Sequence, residues 1–167
     1  ALVTIQPQQV SVTPFVDGQV DVITATRYNE FYTIKTRMDE EKLRTFVAED
    51  SGITFPRDTL IVSEATAREK PDPVKGFLRA SIKGWKDAFA DPKGAVDTVM
   101  ALAPTLDRAH QEFQLAEAKK LMVADKVPEK GLFNIDMDAV KITQDLFVNA
   151  KVIAKPVDLA ATFNSSF

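Results

Sequence analysis

Thr24, Thr26, Tyr28, Asn29 and Glu30 stand close together in the chain and carry hydroxyls, an aromatic ring, an amide and a carboxylate. That set suits recognition of a small polar solute better than bond-breaking chemistry. An ionised Glu30 only accepts hydrogen bonds, so it fits an amino group or a protonated ring nitrogen. Such charge-assisted bonds are roughly twice as strong as neutral ones. Glu30 equally suits a solvated first helical turn, where the helix dipole favours an acid. Asn29 can donate and accept toward a ligand, or cap the helix. Tyr28 can stack on a planar ligand or pack in a core. Thr24 and Thr26 offer hydroxyls at the end of an apolar run, and are also ordinary β-branched strand residues. Asp21 is better placed to bond a neighbouring backbone group. Arg27 suits an anion, which prefers Arg or helix-start N–H groups.

The elements that must position these side chains read as an α/β pattern. Leu2–Ile5, Val20–Thr24, Leu43–Ala48 and Thr59–Val62 are apolar runs with the character of short strands, the last buried on both faces. A short helix is expected before Gly18, where a positive φ is cheap. The resulting strand–helix–strand order is the unit of a parallel sheet. In such sheets ligands lie beyond the carboxyl ends of the strands, which is where Thr24–Glu30 begins. A helix is expected over Asn29–Arg37, and Asp50-Ser51-Gly52 is a turn.

From Glu64 onward the periodicity becomes helical. Asp72-Pro73 reads as a helix start, followed by Val74, Phe77, Leu78, Ile82, Trp85 and Phe89 at three- and four-residue steps. Trp85 is expected in the core. Asp91-Pro92 repeats the cap-and-proline start, and Asp107 and Asp136 can cap two further helices. Ile135 and Val140 are spaced as a hydrophobic staple. Lys126–Gly131 reads as a loop, and Pro156–Phe167 as a short helix or irregular tail.

Composition narrows the function. The 167 residues carry 45% apolar and 27% charged residues with a net charge of −3, the balance of a globular protein. No basic block supports nucleic-acid binding. With no Cys and a single histidine, His110, there is no thiolate chemistry, catalytic triad or metal-ligand cluster, so no catalytic residue, metal or cofactor is expected. His110 itself reads as a surface residue. No apolar run is long enough to span a membrane, and no signal peptide is visible.

Gly18-Gln19-Val20-Asp21, Tyr28-Asn29-Glu30, the run Phe77 to Trp85, and Asp91-Pro92 with Ala95-Val96 together resemble one group of exported solute-binding proteins. These are the substrate-binding components of ABC importers for thiamine-pyrimidine precursors, with nitrate-, sulfonate- and taurine-binding relatives. The resemblance implies a type II periplasmic binding fold: two α/β lobes with ligand in the cleft between them. The chain is expected to lack the N-terminal lobe. Residues 1–63 would form the second lobe with its return crossover, and residues 64–167 the helical C-terminal half. It also implies a non-enzymatic protein, periplasmic or extracellular, bound to an importer's membrane permease. Its solute would be a thiamine-pyrimidine precursor held by Glu30, Asn29, Tyr28, Thr26 and Thr24. The alternatives are an anion-binding relative, a pyrimidine synthase-like enzyme or a ligand-sensing domain. The synthases share the fold but carry a cysteine-rich motif and a reactive histidine, neither of which this sequence reproduces.

Overall fold

The computed structural model describes residues 2–53, 59–123, 131–164 and 166–167. In chain order its helices are α1 (Thr13–Val16), α2 (Glu30–Arg37), α3 (Glu64–Glu69), α4 (Pro71–Ala90), α5 (Pro92–Leu102), α6 (Arg108–Met122), α7 (Met137–Asn149) and α8 (Leu159–Thr162). Short 3-10 turns cover Glu40–Lys42 and Ala48–Ser51. Two compact units result, one of Ala1–Arg44 with Ala88–Met122 and one of Thr45–Asp87 with Val123–Phe167.

No described residue belongs to a β-strand, which overturns the expected α/β fold with a short parallel sheet. An extended segment becomes a strand only when another backbone satisfies its N–H and C=O groups. Here the apolar runs find no partner strand among the described residues, only isolated turn bonds such as Val20 N–H to Pro14 O. Leu2, Ile5, Val22 and Phe46 stay exposed, and Ile61, placed for burial on both faces, is 86% accessible. Thr24 shows what replaces a partner strand. The Gln8 side-chain amide donates to Thr24 O (2.7 Å) and accepts from Thr24 N–H (2.9 Å), closing the two-bond ring that a neighbouring strand would have made.

The helix boundaries follow local chemistry closely. Asp91 accepts from Gly94 N–H (3.0 Å) and Pro92 occupies the first turn of α5. A Cβ added at Gly94 would fall 2.2 Å from Asp91 Oδ2, so the capping side chain would have to shift to admit one. Asp107 accepts from His110 N–H (2.8 Å) at the start of α6. Asp136 caps α7 through Asp138 N–H, and Asp158 caps α8 through Ala160 and Ala161 N–H. The expected start at Asp72-Pro73 shifts: α4 begins at Pro71 and Asp72 lies inside the first turn. The expected Lys126–Gly131 loop falls outside the described residues apart from Gly131.

In the first unit the buried apolar residues are Val12, Ile34 on α2 and Val96 on α5. There α5 packs on α6, and Arg108 bridges back to Asp97 at 2.7 Å. Lys93 and Arg108 both hydrogen-bond Asp97, and hold its carboxyl below the ordinary range. Lys119 on α6 donates to Phe89 O at 3.1 Å. In the second unit Val74 and Val140 are buried. Along the α4 stripe Leu78, Ile82 and Trp85 are only half-buried, and Phe77 remains 61% exposed. Gln144 on α7 accepts from Val157 N–H (2.8 Å), tying down the segment that leads into α8.

Two helices end in the same way with different residues. After α1, Gly18 N–H bonds Phe15 O and Gln19 N–H bonds Pro14 O, with Gly18 at φ +71°. After α7, Lys151 N–H bonds Val148 O and Val152 N–H bonds Phe147 O, with Lys151 at φ +58°. Both are Schellman ends, and only the first has the glycine that suits one. A left-handed Lys costs roughly 1–2 kcal/mol, partly offset by glycine's greater unfolded-state freedom. Lys151→Gly should therefore stabilise the protein by about 0.5–1 kcal/mol in urea unfolding. Ile34, 3% exposed, gives the opposite case. Ile34→Ala should cost about 2–5 kcal/mol and Ile34→Val about 0.5–1.5 kcal/mol. Ile61→Ala at its exposed position should stay within about 0.5 kcal/mol.

Candidate functional site

The turn ahead of α2 is built from backbone and side-chain bonds that fix each other. Thr26 O accepts from Asn29 N–H (3.1 Å) and from Phe31 N–H (3.2 Å). Thr26 N–H in turn donates to Glu30 Oε2 at 2.9 Å. Glu30 is the first residue of α2, so its side chain reaches back over the turn that precedes the helix. Asn29 occupies the N-cap position with φ −132° and ψ −87°, but its side chain makes no cap bond. The expected capping role is therefore not used. Tyr28, Asn29 and Glu30 are half-buried. Thr24 is exposed, and its hydroxyl donates to Gln8 Oε1 at 2.7 Å. Thr24 and Thr26 stand at the entrance of a turn rather than at a strand end.

Arg27 anchors this turn to α6. Its Nε lies 2.8 Å from Glu117 Oε2, joining residues 90 positions apart. The Glu117 side chain is 8% exposed and that of Arg27 57% exposed. Lys120, one helical turn on, is a second cation on the same carboxylate. A buried carboxylate is tolerated only when paired and hydrogen-bonded. The hydrogen bond from Lys120, then that from Arg27, holds the Glu117 carboxyl below its ordinary range, against the opposing effect of desolvation.

A second link to α6 comes from α2 itself. The Tyr32 ring stacks on His110 at 4.6 Å with planes 15° apart, and tilts against Phe113 at 4.9 Å. His110 is thus half-buried against a ring rather than on the open surface, and its Nε2 is buried without a hydrogen-bond partner. Among the described residues no cluster of His, Cys, Asp and Glu could hold a metal ion. In the second unit an open hollow of about 580 Å³ is lined by Met137, Ala160, Ala161, Phe163, Asn164 and Ser166, none of them titratable.

The structure thus gathers Thr24, Thr26, Tyr28, Asn29 and Glu30 along one pinned turn, and adds Arg27, Glu117, Lys120 and Gln8. Glu117 escaped the sequence reading because its burial depends on an arginine far away in the chain. The local trace is slight: an acid flanked by Ala116 and Ala118, with Lys120 three residues on.

This turn lies inside the region that a known family covers. Residues 1–95 match the family described as NMT1/THI5 like. The chain belongs to that family. A relative is the riboflavin-binding protein RibY of Chloroflexus aurantiacus (strain ATCC 29366 / DSM 635 / J-10-fl), 28% identical over 111 residues. The match takes in 65% of this chain and 32% of RibY, so the chain spans about a third of that relative's length. No solved structure matches significantly. Among the described residues no helix is long and apolar enough to cross a membrane.

The Glu117 pairing sets a pH dependence. A carboxyl whose value is depressed in the folded state adds stability above its unfolded-state value, about 4.3 for Glu. That stability is lost as pH falls through the folded-state value. Thermal melts should show Glu117→Gln less stable than the parent at neutral pH, with the gap closing on acidification below about pH 4. A gap that widens in acid would contradict the pairing.

Proposed function

We propose that the chain is the substrate-binding component of an ABC importer, or a portion of one, and that its solute is a thiamine-pyrimidine precursor. It acts as a binding module rather than an enzyme, working in the periplasm or outside the cell and delivering solute to a membrane permease. Membership of the NMT1/THI5-like family across the region that holds the turn carries this reading. Glu30 accepts from the amino group or protonated ring nitrogen of the pyrimidine. The same carboxylate accepts from Thr26 N–H. That bond also limits the rotamers Glu30 must give up on binding. Tyr28 supplies a ring for the planar heterocycle, and Asn29, Thr26 and Thr24 supply donors and acceptors around it.

The likeness to RibY favours a second reading, a flavin in place of the pyrimidine. Both ligands are flat nitrogen heterocycles, and both present N–H donors to an acid.

Glu30→Gln separates these readings from an anion receptor. The Gln carbonyl can still accept from Thr26 N–H, so the turn keeps its bond. In the full-length protein, calorimetry should show aminopyrimidine binding weakened on the order of tenfold or more, while taurine binding hardly changes. The opposite order would reject Glu30 as the heterocycle's acceptor.

A further inference from the structure

We propose that Arg27 selects an oxyanion group on the solute, and that Glu117 is the positioning residue that turns the guanidinium toward it. The proposal rests on the solute-binding reading above and adds a charge requirement to it. A guanidinium has donors along more than one edge. Arg27 gives its Nε–H to Glu117, and no described residue accepts from Nη1 or Nη2. The Nη1–Nη2 edge is a planar fork that matches a carboxylate or phosphate with two parallel bonds.

The surroundings fit a poised cation better than a structural pair alone. One cation would neutralise Glu117, yet Arg27 and Lys120 both hold it, so the arginine is not the only counter-charge that carboxylate has. The arginine is 57% exposed while its anchor is 8% exposed, so the head is accessible but restrained. A restrained head loses less freedom on binding than a free surface arginine. Glu30, three residues on, accepts from Thr26 N–H, whereas Arg27 pairs with Glu117. The turn therefore keeps an acid and a base separate. That separation suits a solute with an amino-bearing heterocycle and an oxyanion on one molecule.

The test compares matched probes by calorimetry on the full-length protein. They are 4-amino-5-hydroxymethyl-2-methylpyrimidine and its phosphate ester, riboflavin and riboflavin 5′-phosphate, and inorganic phosphate. The phosphate ester of the preferred heterocycle should bind on the order of tenfold or more tighter than its parent alcohol. Arg27→Gln should bring that ratio close to one. Arg27→Lys keeps the charge but loses the fork, and Glu117→Gln releases the head, so each should reduce the ratio only in part. A purely structural Arg27 would leave the ratio untouched in all three variants. Equal binding of ester and alcohol to the parent protein, or a ratio that survives Arg27→Gln, overturns the proposal and leaves the solute-binding reading intact. Binding of inorganic phosphate alone, with its affinity lost in Arg27→Gln, would reassign Arg27 to a free anion and overturn the bifunctional solute. Binding of none of the probes would reject the solute-binding reading, and the proposal with it.

Discussion

A carboxylate on α6 holds the first unit in register. Glu117 is the buried charged residue among those described, and burial without a partner would be costly. Lys120 supplies a local cation, but Arg27 supplies the long-range one. Satisfying Glu117 therefore brings the turn ahead of α2 to α6. The same approach places Tyr32 on His110 and Phe113. Once these contacts form, Ile34 on α2 is buried. The apolar contribution is non-directional, and the carboxylate is what specifies which face of α2 is inward.

Side chains perform in the turn the work that a sheet performs elsewhere. Gln8 satisfies both backbone groups of Thr24. Glu30 satisfies the N–H of Thr26, and the Thr26 carbonyl accepts two further amides. A polar backbone left unpaired on leaving water would be unfavourable, so each of these bonds removes an alternative conformation. The segment is ordered by reach rather than by ladder. Its candidate ligand groups consequently sit on a loop with several independent anchors, which suits a binding surface that must present polar groups without collapsing them into the core.

What the sequence disclosed follows from how far each signal has to act. Asp91-Pro92, Asp107, Asp136 and Gly18 announce themselves because a cap or a Schellman end involves residues within one or two turns. Lys151 hides the same end because its type gives no hint of a left-handed backbone. The apolar runs at Leu2–Ile5, Val20–Thr24 and Thr59–Val62 misled because a strand is a relation between two backbones. Sequence shows the propensity of one of them only. Asn29 stood at the right place to cap α2 and does not, since the Thr26 carbonyl and the Glu30 carboxylate organise that helix start instead. The polar cluster at 24–30 could be read from residue types alone. Its anchoring could not, because Gln8 and Glu117 reach it from 16 and 90 positions away.

Why use a buried ion pair when an apolar contact would hold the two elements together? Such pairs often add little net stability, because desolvation offsets most of their attraction. What they add is direction. An aliphatic side chain in place of Glu117 could hold the turn against α6 but would leave the guanidinium free to rotate. A carboxylate taking Nε–H leaves the Nη1–Nη2 edge to other acceptors. Lys120 then serves a separate purpose: it keeps Glu117 ionised and paired when Arg27 engages a second anion. Without it, one carboxylate and one external anion would share a single cation, and each would weaken the other's hold. Two cations on one acid allow the turn to accept a negative group without losing its anchor.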